Sequence, residues 1–249
     1  MTKLSVIIPT FNEADFIGQA VRSVSFADEI IVVDSLSTDK TVDIASSMGC
    51  RIFKRKFDNF SNQKNHALQF ASGEWVLFLD ADERITGALK HEIIEAINSD
   101  KYSGYKLYFP HFFMNRFLYH HSNMVTRLVK RNACRFTGSV HEKLLVEGTI
   151  GRLKNQVNHY TYKGLKHYIS KKDHYSDFQS QQALKKNKKA SLFIFFFKPF
   201  YRFFNSFILR GGFKDGIPGL VVARINAYGV FSRYAKLVIA KNHQNQPRP

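Results

Sequence analysis

Two cysteines, one tryptophan and six prolines among 249 residues place few covalent or conformational constraints on this chain. Cys50 and Cys134 lack metal-type spacing and are too few for a disulfide framework, so a reducing cytoplasm is the expected setting and Cys50 is read as packing. The first strand-like run is followed by no G-x-G-x-x-G, only by a lone Gly18 inside a helical pattern, which argues against a nicotinamide or flavin site. Long apolar runs are also missing. Residues 4–8 are stopped by Pro9, too short for a signal-peptide core. Lys198, Arg202 and Arg210 interrupt the most hydrophobic region, so no window approaches the roughly 20 uninterrupted apolar residues of a spanning helix. The scarcest commodity is acid in the second part: residues 101–249 carry five Asp and Glu against 27 Lys and Arg, whereas residues 1–100 carry 15 against 10. An acidic first part and a basic second part imply a catalytic half and a half that meets something anionic, whether nucleic acid, a phosphorylated substrate or lipid head groups.

What is present is a core-forming chain, 44% apolar, organised around Trp75-Val76-Leu77-Phe78-Leu79-Asp80-Ala81-Asp82-Glu83. Five apolar residues ending in acid read as a buried strand whose C-terminal end delivers carboxylates to a rim. Side chains at i and i+2 of a strand share a face, so Asp80 and Asp82 can reach one point, and two hard oxygens suit Mg²⁺ or Mn²⁺. The competing reading is that both acids cap a helix expected to start near Thr86. Upstream, residues 4–8, 30–33 and 51–54 read as strands. Helical patterns follow at Phe16, Ile17, Ala20, Val21 and Val24, at 41–48, and from a Ser61 cap to about Ala71. Alternating strands and helices give βαβ units, a parallel sheet and an α/β fold with helices on both faces. Ligands in such sheets bind beyond the carboxyl ends of the strands, where the loops at 9–13 and 34–39 join the acids at 80–82.

Past helix 86–98 the pattern becomes mixed α+β. Tyr105, Leu107 and Phe109 alternate with polar residues, 124–130 is a further strand, and residues 144–150 read as a hairpin. His141-Glu142 places an imidazole beside an acid. From about Tyr162 the chain turns helical and basic, with Lys185, Lys186, Lys188 and Lys189 running into a segment, 191–241, that holds ten of the 24 phenylalanines. Phe193, Phe196, Phe200 and Phe204 interleaved with Lys198 and Arg202 match an amphipathic element lying in a membrane interface, with packing on the domain or dimerisation as the alternative. The expected division is 1–160 (1–100 nucleotide half, 101–160 acceptor half) and 161–249, a basic membrane-associating region.

Taken together, Ser5-Val6-Ile7-Ile8-Pro9-Thr10-Phe11-Asn12-Glu13, then Val32-Val33-Asp34-Ser35 with Ser37, Asp39 and Thr41, then Leu79-Asp80-Ala81-Asp82-Glu83 resemble the family 2 glycosyltransferases of GT-A fold. Val140-His141-Glu142 and the glycines of 211–219 are similar to the bacterial lipopolysaccharide inner-core β-1,4-glucosyltransferase group. The resemblance implies a nucleotide-sugar donor, a UDP-sugar, inversion at the anomeric carbon and a divalent cation, Mg²⁺ or Mn²⁺, on the diphosphate. It assigns Pro9, Thr10, Asn12, Glu13, Asp34, Lys64, Asp80 and Ala81 to the nucleotide, Asp82 with Asp80 and His159 to the metal, and Glu142 to the role of base. Two departures stand out: Asp34-Ser35-Leu36-Ser37 replaces the usual Asp-Asp-Gly-Ser, and His141-Glu142 replaces the usual Glu-Asp.

The expected activity is therefore transfer to a lipid-linked saccharide acceptor by a cytoplasmic protein peripheral on the inner face of the membrane, in lipopolysaccharide core or other cell-envelope glycan synthesis. A polyprenyl phosphate or capsule intermediate is the alternative acceptor. A basic nucleic-acid-binding protein is the alternative from another class. Nucleic acid is not expected as a partner, because the phenylalanines are too dense for a wetted stacking groove and the acid rim repels phosphate without a metal.

Overall fold

The structure, a computed structural model, describes residues 3–138, 142–160, 164–188 and 191–245. Its apolar runs form the strands β1 (Leu4–Thr10), β2 (Glu29–Asp34), β3 (Arg51–Lys54) and β4 (Trp75–Phe78), side by side in the order β3-β2-β1-β4 and all parallel. Helices α1 (Ala14–Ser23), α2 (Thr41–Ser47) and α3 (Phe60–Leu68) cross between them. Because strand side chains alternate, the continuous β-branched runs feed two cores. Val6, Ile8, Val32 and Leu77 join Ile17, Ala20 and Val21 of α1 on one face. Ile7, Ile31, Val33, Val76 and Phe78 join Ala67 and Ala71 on the other. Each large apolar side chain buried this way stabilises by roughly 1.5–3 kcal/mol.

Beyond β4 the sheet continues through β7 (Arg116–Lys130), β6 (Gly104–Phe113), β10 (Ile150–His159) and β5 (Glu83–Ile85), with β7 antiparallel to β4 and β5 antiparallel to β10. The alternating Tyr105, Leu107 and Phe109 are all buried. Three local expectations change. The three-residue β5 emerges between the acids and the following helix, α4 (Gly87–Ser99), because Ile85 and Arg84 pair with Val157 and Asn158. The cap of α3 is Asn59, whose side chain accepts from the Asn62 amide, while Ser61 donates its hydroxyl to the Gly138 carbonyl. Residues 144–150 are no hairpin: β9 (Lys143–Val146) pairs with β8 (Cys134–Thr137) in a separate two-stranded sheet, and β10 returns to the main one.

The chain divides into two compact units, one of residues up to Pro110 with Asn123–His159, the other of His111–Ser122 with the chain from Tyr160 onward. The far ends of β6 and β7 are thus grouped in the second unit. That unit is built from α5 (Leu165–Lys185), α6 (Leu192–Phe204), a π-turn at Asn205–Leu209, a 3-10 turn at Gly212–Asp215 and the long α7 (Gly216–Asn245). Phe113, Leu118, Tyr168, Val222 and Ile225 form its core. His121 is buried between Asp215, 3.0 Å from Nδ1, and Ser206, 3.1 Å from Nε2. No residue of α6 is buried, and Phe193, Phe196 and Phe200 are 71%, 70% and 64% exposed. By length and composition, the helical stretch Leu192–Leu209 is apolar enough to cross a membrane despite Lys198 and Arg202 within it.

Candidate active site

The carboxyl ends of β1 and β2 carry two loops that lock together. Thr10 donates its hydroxyl to Asp34 at 3.3 Å, and Asp34 accepts from the amide and the hydroxyl of Ser37. Ser37 Oγ accepts in turn from the Asn12 amide, and Asn12 Oδ1 from the Thr38 amide. The Glu13 amide donates to Thr41 Oγ1. Asp34 is therefore buried, with its carboxylate oxygens engaged in holding the two loops together. Asn12 sits in the left-handed region at φ 54°, which asparagine tolerates. Leu36 sits there too, at φ 67°, in the place where the usual pattern has glycine. A side chain in that region costs about 1–2 kcal/mol, a local strain on the rim.

At the end of β4 the chain turns through Asp80, Ala81 and Asp82. Helix capping does not explain these acids, since α4 is capped by Thr86, whose Oγ1 accepts from the Leu89 amide at 3.2 Å. Instead, buried Glu83 accepts from the Asp80 amide at 2.9 Å and from Arg127 at 2.9 Å. The same guanidinium donates to Asp80 Oδ2 at 2.7 Å. Burial would raise the Asp80 carboxyl, but the Arg127 charge, with Lys64 behind it, holds it below the usual carboxylate range. Glu83 moves the other way, pushed up by burial and by its neighbour Asp80 against the pull of Arg127. Asp82 meets His159 instead, Oδ2 to Nε2 at 3.3 Å. The register that sets His159 opposite Glu83 in β10 and β5 makes this meeting possible. Burial lowers the His159 imidazole, and Asp82 more than offsets this, leaving it above its ordinary value.

A second carboxylate system pairs Lys64 of α3 with Glu142, the residue before β9. Lys64 is buried and its Nζ is 2.7 Å from Glu142 Oε1, while Glu142 Oε2 is buried with no hydrogen-bond partner among the described residues. Asn65 holds the helix to β8 by a reciprocal pair with Phe136, accepting from its amide at 2.8 Å and donating to its carbonyl at 2.9 Å. His141 lies outside the described residues. Sequence reasoning missed Arg127 and the supporting role of Glu83. Arg127 sits in an alternating strand, where its face is predictable but its partners are not, and Glu83 was visible only as one more acid in a run.

The cluster holds four carboxylates, Asp80, Asp82, Glu83 and Glu142, against Lys64, Arg127 and His159. Such a balance accommodates a further cation. Among the described residues no group of three or more His, Cys, Asp and Glu forms a metal cage, but the carboxylate and imidazole of Asp82 and His159 are a donor pair that fits a divalent ion completed by oxygens from elsewhere. Asp80, expected among the ligands, is committed to Arg127.

The mixed, mostly parallel sheet flanked by helices, with loops and acids gathered on one rim, is a GT-A architecture. The glycosyl transferase family 2 profile matches residues 5–215, and the chain belongs to that family. An uncharacterized glycosyltransferase of Rickettsia felis is 32% identical across 95% of this chain and 90% of its own length. The lipopolysaccharide core biosynthesis glycosyltransferase LpsC of Rhizobium meliloti is 27% identical across 99% and 95%. In structure the chain is similar to S. aureus TarS 1–349, crystallised in complex with UDP-GlcNAc, at TM-score 0.51 and 16% identity over 99% of this chain and 93% of that one.

Proposed function

We propose that this chain transfers a hexose from a UDP-sugar to a lipid-linked saccharide acceptor with inversion, as a peripheral protein of the inner membrane face, in lipopolysaccharide core or related cell-envelope glycan assembly. The observation that carries the reading is the pair of carboxylate systems in one charge cluster, Asp82 with His159 and Glu142 with Lys64. The similarity to LpsC, a lipopolysaccharide core biosynthesis glycosyltransferase, and to TarS, which binds UDP-GlcNAc, supports the acceptor class and the donor class respectively. The exposed phenylalanines of α6 support the membrane location.

The interlocked loops at 10–13 and 34–41 hold the nucleoside end of the donor. Asp82 and His159 would hold Mg²⁺ or Mn²⁺, which when bound supplies counter-charge to the departing diphosphate. Arg127 and Glu83 fix the Asp80-Ala81-Asp82 turn so that neither acid must reorganise during the reaction. Glu142 Oε2 accepts the proton of the acceptor hydroxyl as that oxygen bonds to the anomeric carbon; the bond from that carbon to the diphosphate breaks, and its electron pair leaves with the diphosphate. Lys64 keeps Oε1 in place during this step. A single protein carboxylate is sufficient because the diphosphate departs without needing a proton, unlike the alcohol released by glycosidases.

The test is a screen of UDP-, GDP- and CMP-sugars with and without Mn²⁺. A UDP-sugar at about 100 times its dissociation constant should stabilise the protein by ~2.7 kcal/mol, and only with the metal present. Stabilisation by GDP- or CMP-sugars alone would overturn the donor assignment, and stabilisation indifferent to metal would remove the role given to Asp82 and His159.

A further inference from the structure

Apart from the rim, the second unit contains a cavity of about 670 Å³ bounded by α5, α6 and α7. Its wall has an unusual composition: Lys172 from α5, Lys198 and Arg202 from α6 and Arg233 from α7 all border it, and no Asp or Glu does. Among the described residues none of these four cations forms an ion pair with a carboxylate. The acids Asp173 and Asp177, on the same helix as Lys172, are taken by Lys236. Three of them rest on aromatic rings, Lys172 on Tyr168 and both Lys198 and Arg233 on Tyr234, and Arg233 also donates to Gln179. Burial, and then the charge of Arg202, push the Lys172 ammonium down to about 8. Placing like charges together, one of them partly desolvated, works against folding, and partly buried charges are ordinarily paired. The wall also carries Phe197 and Tyr201, whose helix presents the exposed phenylalanines described above. A polar anion in the cavity with apolar chains along α6 would satisfy both halves of this surface.

We infer that this cavity binds the phosphate head group of an anionic lipid, with Lys172, Lys198, Arg202 and Arg233 on the phosphate oxygens and the acyl chains against the phenylalanines of α6. The site stands independently of the catalytic reading, since none of its residues belongs to the rim. A phosphomonoester suits four cations lining one cavity, because Arg and Lys make charge-assisted hydrogen bonds to its oxygens. The cavity thereby separates recognition of a particular head group from the general attraction of Lys185 and Lys186 to any negative surface.

The experiment compares full-length wild type, K172Q/R202Q and the control K185Q/K186Q, which removes the same charge from exposed positions. Each is floated with phosphatidylcholine vesicles containing either phosphatidic acid or phosphatidylserine, matched in zeta potential. Wild type should prefer phosphatidic acid. K172Q/R202Q should bind those vesicles about tenfold more weakly, a difference of ~1.4 kcal/mol, and lose the preference. The control should weaken on both vesicles alike and keep the preference. Equal losses for the two double variants, or no preference in wild type, would overturn the site. In the absence of lipid, K172Q/R202Q should melt at or above the wild-type temperature, because it relieves repulsion; a lower melting temperature would mean that the cations are structural and would also overturn it. Short-chain phosphatidic acid should raise the wild-type melting temperature more than glycerol 3-phosphate or inorganic phosphate does, and an equal rise would assign the cavity to a soluble phosphate instead of a lipid.

Discussion

Glu142 and Lys64 are 78 residues apart in sequence and 2.7 Å apart in space, and the proposed chemistry depends on that approach. Glu142→Gln is near-isosteric and cannot take a proton, so kcat should fall by ~10²–10⁴ while the donor still stabilises the protein. Normal turnover by this variant would move the base elsewhere. Arg127 makes a different kind of contribution. Its removal in Arg127→Ala leaves buried Glu83 without its counter-charge, which should cost roughly 3–5 kcal/mol and be visible in chemical denaturation; a loss below 1 kcal/mol would mean that water already serves Glu83. The sequence announces the carboxylates more clearly than their partners. Asp80 and Asp82 are legible because a strand must end where its acids begin, and Thr10 and Asp34 because they end parallel strands. Arg127 becomes readable only once Leu128 is known to lie opposite Leu77, a register fixed by tertiary packing and by no local pattern.

Among the elements, the parallel strands were predictable because runs such as Ile30–Val33 are apolar on both faces, whereas β5 was not, since three residues carry too little periodicity to show. The false hairpin at 144–150 had good turn chemistry, and pairing of β9 back onto the preceding strand β8 overrode it. One side chain at the start of β2 ties several of these elements together. Glu29 accepts from Ser5 of β1, from the amide and hydroxyl of Ser72 and from Arg51 of β3. Burial opposes its ionisation, but these donors more than offset that and bring the carboxyl down to about 2 from 4.5. A depressed carboxyl stabilises the fold above its unfolded value and loses that contribution as the pH falls from 4.5 toward 2. The contribution is on the order of 3 kcal/mol. Urea titrations of wild type over this range should show a steep loss of stability, and Glu29→Gln should flatten it; the same slope in both proteins would place the acid-sensitive group elsewhere.

At the scale of the whole molecule, the charge changes sign near residue 100, whereas the two compact units divide the chain after Pro110, Ser122 and His159. Composition could not reveal that residues 111–122 belong with the later helices. Phe113 and Leu118 are buried there against Tyr168, Val222 and Ile225, so the border is crossed by the chain more than once. This has a topological consequence for anyone who would separate the parts. A protease site inserted after Tyr160 and cut to completion should leave two fragments that elute together under native conditions and part only in denaturant, because one fragment carries a hairpin tip buried in the other. Clean separation without denaturant would show that the tip is only loosely held. By the same logic, a gene truncated at 160 should yield a protein with Phe113 and Leu118 facing water, prone to self-association, so the first 160 residues are best obtained by nicking the folded whole.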